Sequence, residues 1–190
     1  KAGLSGGALF GVLCLMNSLS SIFQNNHGGI EGGGAMFFQS LSNIVLDKTT
    51  VVGNYALGIG GGIAAIQCRS FFLSNSEIRE NSASEGGGLY LYATLTPPEI
   101  ENDVIHDNTA RDGGGGGLLW DQKQPLLLRT ELDLVENVHL LQDDVMVMFA
   151  GNVGQYGNDI ASGITELRST MISGNAFYNT KPFSPTPVVE

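Results

Sequence analysis

A chain of 190 residues, 42% of them hydrophobic, is long enough for one domain with a sizeable core. Its formal net charge of -10 repels phosphate backbones and anionic lipid surfaces, which argues against nucleic acid as a partner, and no apolar run approaches the roughly 20 residues of a membrane-spanning helix. Glycine supplies 27 residues, about twice the roughly 7% of an average protein, but Val, Ile, Leu and Phe are too abundant for a disordered chain, so the glycines serve an ordered backbone.

In chain order the segments are variations on one phrase: glycines, a short apolar stretch, then an apolar residue followed three positions later by Asn. "SGGALFG", residues 5–11, opens a copy that reaches Phe23 and Asn26. "GGGAMFF" leads to Val51 and Asn54, "GGGIAAI" to Ile78 and Asn81, and "GGGLYLY" to Ile105 and Asn108. "GGGGGLLW" opens the copy that ends on Phe149 and Asn152, and "YGNDIAS", with Asn158 and Asp159 in place of glycine, precedes Ile172 and Asn175. The Asn spacings are 28, 27, 27, 44 and 23, a period of about 27 with one enlarged copy holding roughly 17 extra residues within 121–145. Two further columns agree: Ser21, Thr49, Ser76, Asp103, Val147 and Thr170 stand five before the Asn, and Gly28, Ala56, Ala83, Ala110, Gly154 and Phe177 stand two after it.

The apolar pieces are short, β-rich and often alternating, and no copy holds ten residues with a helical stripe, so each copy is read as two or three short strands joined by turns. One such unit cannot bury its apolar face; stacking units about 4.8 Å apart does. The expected fold is an all-β, right-handed parallel β-helix of about six to seven rungs. Phe23, Val51, Ile78, Ile105, Phe149 and Ile172 form an inward ladder, and the repeat Asn sits at a turn, where it tolerates left-handed geometry and pairs its amide from rung to rung. Glycines supply positive φ and close approach at the next corner. Residues 1–178 form the repeat domain, with the insertion at about 121–145. Pro182, Pro185 and Pro187 make 179–190 an extended segment. The start within a copy predicts further rungs or a partner chain upstream.

The pairing of Gly6-Gly7-Ala8-Leu9, Gly33-Gly34-Ala35-Met36 and Gly61-Gly62-Ile63 with Phe23-x-x-Asn26 and Phe149-x-x-Asn152 resembles the repeats of the polymorphic outer membrane proteins of Chlamydia and of related microbial surface proteins. The resemblance implies a surface-exposed or secreted β-helix with an adhesin-like or scaffolding role, with other cell-surface proteins or glycans as partners.

Many parallel β-helices cleave polysaccharides, which needs two carboxylates converging on one bond. Adjacent Asp143 and Asp144 would point to opposite faces if they lay on a strand, and they read as a solvated acidic loop; Asp159 reads as a turn residue. Glu80 and Asp107, and Glu85 and Asp112, are expected to pair on adjacent rungs, where like charges either hold a hard cation such as Ca²⁺ or form an acidic face relieved by Arg79 and Arg111. His27, His106 and His139 occupy different columns, so no zinc site follows. Cys14 and Cys68, two rungs apart, are expected as buried thiols. The glycine run before Trp120 lacks the Lys and Ser or Thr of a phosphate loop, and Trp120 itself is a sugar platform or a core aromatic. No Asn-x-Ser or Asn-x-Thr sequon occurs. No catalytic, cofactor or metal residue is therefore assigned. The expectation is a non-enzymatic extracellular or cell-surface segment of a larger assembly, the alternative a carbohydrate-active enzyme, and the insertion is the first candidate for partner contact.

Overall fold

The computed structural model describes residues 3–121, 127–129 and 147–162, and within them the chain winds as a right-handed parallel β-helix. Each full rung carries four short strands rather than the two or three expected, because a two-residue strand survives between the Asn corner and the glycine corner. In the first rung these are β1 (Leu9–Val12), β2 (Leu15–Leu19), β3 (Ile22–Gln24) and β4 (His27–Gly28). The second holds β5 (Met36–Gln39), β6 (Asn43–Asp47), β7 (Thr50–Val52) and β8 (Tyr55–Ala56). The third holds β9 (Ile63–Ile66), β10 (Ser70–Ser74), β11 (Glu77–Arg79) and β12 (Ser82–Ala83), and the fourth β13 (Leu89–Tyr92), β14 (Glu99–Glu101), β15 (Val104–His106) and β16 (Thr109–Ala110). The fifth comprises β17 (Leu118–Asp121), β18 (Leu127–Arg129) and β19 (Met148–Ala150), and β20 (Ile160–Ser162) begins the next.

Equivalent strands pair in parallel to give four sheets, ordered β1-β5-β9-β13-β17-β20, β2-β6-β10-β14-β18, β3-β7-β11-β15-β19 and β4-β8-β12-β16. Register follows the repeat: Val51 pairs with Phe23 and Ile78, and Ile105 with Ile78 and Phe149, so this inward ladder is continuous over five rungs. Met36, Ile63, Leu89 and Leu118 of the first sheet and Ile44, Leu46, Phe71, Leu73 and Ile100 of the second complete the core. At the Asn corner Gly28 pairs with Ala56 and Ala83 with Ala110, small residues that let the coil bend sharply. Leu127–Arg129, inside the stretch expected as an insertion, pair in register with Glu99–Glu101 and belong to the rung.

The corners explain the two signature residue types. The Asn side chains form a ladder, Asn26 Nδ2 donating to Asn54 Oδ1 at 3.0 Å, Asn54 to Asn81 at 2.9 Å, Asn81 to Asn108 at 3.0 Å and Asn108 to Asn152 at 3.0 Å. The left-handed geometry belongs not to these residues but to the one before each: Asn25, Gly53, Glu80, Asp107 and Gly151 have φ between 54° and 64°. That turn delivers the following Asn to the interior, where its oxygen also accepts the N–H of the previous rung's Asn. At the next corner Gly60 has φ +61° and a Cβ there would lie 2.4 Å from the Ile63 carbonyl oxygen, so only glycine is accommodated.

Candidate functional site

The densest group of charged side chains among the described residues lies on the outward face of the third sheet. Period-two alternation buries Ile78 and Ile105 and turns Glu77, Arg79 and His106 outward. The left-handed residues Glu80 and Asp107 follow directly, stacked on adjacent rungs as their column requires. Arg79 bridges Glu77, at 3.3 Å, and Glu80. His106 crosses the rungs, Nε2 lying 3.1 Å from Glu77 and Nδ1 2.8 Å from Asp107.

An imidazole hydrogen-bonded to two carboxylates through both nitrogens donates twice, which only its protonated form does. Partial burial lowers the His106 pKa, but the hydrogen bonds to Asp107 and Glu77 outweigh that and hold it above the ordinary value. Burial likewise raises Glu77, yet the bonds from His106 and Arg79 leave it below the usual carboxylate range. The face is thus a clasp of alternating charge that ties the third rung to the fourth. Reading His106 only as a possible zinc ligand misses this, because the signal is its register opposite Arg79 and one step from Glu77.

Other expected groups are not brought together. Glu85 does not stack on Asp112: two additional glycines in 113–117 push Asp112 back along the chain, so its N–H meets Ser84 O while Glu85 lies against Gly113. Arg111 does not relieve these acids. Its guanidinium lies 4.5 Å from the Tyr55 ring centroid, donates to the Tyr55 hydroxyl and to Ala56 O at 2.7 Å, and through Nε to Ala83 O, stapling three rungs from outside. His27, in the first rung of the fourth sheet, packs on Tyr55 with centroids 5.7 Å apart, far from His106. No group of three or more His, Cys, Asp or Glu side chains arranged to hold a metal ion occurs among the described residues.

Cys14 and Cys68 are free thiols, but only Cys68 is buried as expected and Cys14 is half-buried; burial, the main cause, pushes Cys68 up to about 12, which leaves it protonated and inert as a nucleophile. Trp120 is 3% exposed inside the core cluster, so it is a packing residue and not a sugar platform. Gly113–Gly117 form a corner, with Gly115 at φ +69°. Asp159 does occupy a glycine slot, opposite Gly117, and its Oδ1 accepts from Asn152 Nδ2 at 3.0 Å, the bond that elsewhere goes to the next Asn. Asp143, Asp144, His139 and Asn175 lie outside the described residues.

One buried acid escapes the sequence reading. Asp103 is wholly buried in the Ser21, Thr49, Ser76 column, accepting the Ser76 N–H at 2.6 Å on Oδ1 and the Glu101 N–H at 3.0 Å on Oδ2. Burial dominates and raises its pKa to about 8 despite those two donors. It replaces the hydroxyl with which Ser76 accepts the Thr49 N–H one rung earlier. Its role is therefore to satisfy backbone, a use the column of small hydroxyl residues already signals.

Comparison with protein-family models, with curated proteins and with solved structures finds no match. The fold rests on the strand register itself, which establishes a parallel β-solenoid.

Proposed function

We propose that this chain is a non-enzymatic β-helix segment of an extracellular or cell-surface protein, acting as an adhesin-like or scaffolding element in a larger surface assembly. The observation that carries this reading is where the polar side chains are spent. His106 ties the fourth rung to Glu77 of the third, Arg79 and Asp107 brace those two partners within their own rungs, Arg111 staples three rungs, and the Asn ladder and Asp103 satisfy interior backbone. Such a column of self-satisfied rungs suits a stiff spacer that presents its flanks to partners. The Gly-Gly-Ala and Phe-x-x-Asn phrases support placement among surface repeats of the kind found in the polymorphic outer membrane proteins, with cell-surface proteins or glycans as partners.

The test is incubation of the purified 190-residue chain with a panel of acidic and neutral polysaccharides, cleavage and retention being scored separately. Retention on a glycan or on intact cell surfaces without new reducing ends is the expected outcome. Cleavage that disappears in an Asp143→Asn, Asp144→Asn variant would replace this reading with that of a carbohydrate-active enzyme.

A further inference from the structure

We propose that the segment 179–190, outside the described residues, lies as a strap across the outer face of the first sheet, packed on the column Phe37, Ala64, Tyr90, Leu119 and Ala161. The inference rests on the fold and not on the functional reading above.

The first sheet is built to be buried on both sides. Met36 and Phe38, Ile63 and Ala65, Leu89 and Leu91, and Leu118 and Trp120 belong to the core, so the residue between each pair points out of the coil. Those outward residues stack as Phe10, Phe37, Ala64, Tyr90, Leu119 and Ala161, apolar or aromatic in all six strands. The strands consequently read as near-continuous apolar runs, as strands covered on both faces do. The central outward column of the second sheet, by contrast, passes from Asn17 through Val45 and Phe72 to Glu99.

Burial separates the two faces. Phe37, Ala64, Leu119 and Ala161 are 3%, 0%, 4% and 6% exposed, yet none belongs to the core cluster. Column neighbours alone do not achieve this, since Phe72 has a strand on either side and stays half-buried. Outward apolar residues elsewhere, such as Leu15 and Met148, are exposed, so burial and not hydrophobicity marks this column. The cover is this chain's own, because a single copy buries the column.

Phase, proline content and reach select 179–190 as that cover. Each later strand of the first sheet starts eight to ten residues after a repeat Asn: Met36 after Asn26, Ile63 after Asn54, Leu89 after Asn81, Leu118 after Asn108 and Ile160 after Asn152. From Asn175 the same interval falls on residues 183–185, which brings the segment to this sheet just beyond β20. Pro182, Pro185 and Pro187 lack the N–H that another strand would need, so the segment cannot extend the ladder. An aromatic face instead receives polyproline II, the form that the Pro182-x-x-Pro185 spacing favours. From Ala161 to Phe37 is four rung steps, about 19 Å, which about six residues of polyproline II span. The alternatives fit less well: the five residues between β17 and β18 are too few to reach Phe37 three rungs away, and 130–146 depart from the opposite corner, between the second and third sheets.

Thiol accessibility in the full 190-residue chain tests the strap. Ala64→Cys in a Cys14→Ser background places a thiol beneath it, Phe72→Cys places one on the second sheet, and buried Cys68 is the unreactive reference. The thiol at 64 is expected to react with a maleimide at least tenfold more slowly than that at 72, at a rate independent of protein concentration. Phe183→Asp, Pro185→Gly and Val188→Asp together are expected to raise the rate at 64 at least tenfold and to leave the rate at 72 unchanged. Equal rates in the parent chain, protection that persists in the triple variant, or protection that grows with concentration, as a second copy would cause, would each overturn the proposal. Circular dichroism melts check each variant. If Ala64→Cys or the triple variant does not melt as the parent does, Leu119→Cys and the pair Pro182→Gly, Pro185→Gly decide by the same rates.

Discussion

Asp103 shows how a single interior position couples the coil to pH. A carboxyl whose folded pKa is raised to about 8 binds its proton more tightly in the native state than in the unfolded chain, where the value is 3.8. Its contribution to stability is therefore greatest below 3.8 and is lost as pH rises through about 8. Asp103→Ser would restore the bonding of the preceding rungs, with the hydroxyl accepting the Ser76 N–H and donating to Glu101 O as Ser76 donates to Ser74 O. Chemical denaturation should show the variant more stable at pH 8.5 by on the order of 2 kcal/mol, with the difference shrinking towards pH 4. A constant difference across that range would mean that the carboxyl titrates normally. The column of Ser21, Thr49, Ser76 and Asp103 was legible as small and polar because its spacing to the Asn is fixed. Its burial was not, since a polar residue between strands reads equally as a solvated turn. The Asn ladder was legible for the opposite reason: one residue type recurred at one spacing, and an amide both donates and accepts along a stack. What spacing did not reveal was that the left-handed residue stands one step earlier, because Asn25, Gly53, Glu80, Asp107 and Gly151 share no side-chain chemistry and only a backbone angle.

At the scale of the strand, the outward face of β11 and β15 is held by a histidine whose charge is conditional. His106 faces Glu77, Asp107 and, through Glu77, Arg79 and Glu80; β19 on its other side contributes Met148 and Ala150, neither titratable. Because the folded pKa of His106 lies above its ordinary value, its contribution is fully present below about 6.5 and disappears as pH rises through the raised value. Glu77, held below its ordinary value, contributes above about 4.5 and loses that contribution as pH falls. The clasp should therefore be strongest between those limits. Melting curves of His106→Gln against the parent are expected to differ by at most about 1 kcal/mol near pH 5.5, as partly exposed ion pairs allow, and to coincide by pH 9. High salt should shrink the difference. The expected pairing of Glu80 with Asp107 held because their column has constant length, whereas Glu85 and Asp112 separated because the glycine corner tolerates extra residues. Columns counted across an elastic corner lose register; columns counted across a strand keep it.

For the molecule as a whole, stability should be divisible, since each rung's strands pair only with those of the rungs before and after it. Removal of residues 55–81 joins Asn54 to Ser82 and preserves every column, because Ser82 already occupies the position of Tyr55 one rung on. The shortened chain should place β12 on β4 and β13 on β5, keep the Asn ladder by bringing Asn54 against Asn108, and lose the Tyr55 contact of Arg111. We expect a single cooperative unfolding transition with a denaturant slope reduced by about one fifth, in proportion to the surface buried by one rung of five. Far-UV circular dichroism and the slope are the measurements. An unfolded product would show that the third rung holds its neighbours by more than nearest-neighbour stacking, with the Arg111 staple, which reaches back two rungs to Tyr55 and Ala56, as the first suspect. Restoring a tyrosine at the junction, Ser82→Tyr in the shortened chain, then separates the two causes: it supplies the ring one rung from Arg111, and rescue would assign the defect to the staple and not to the stack.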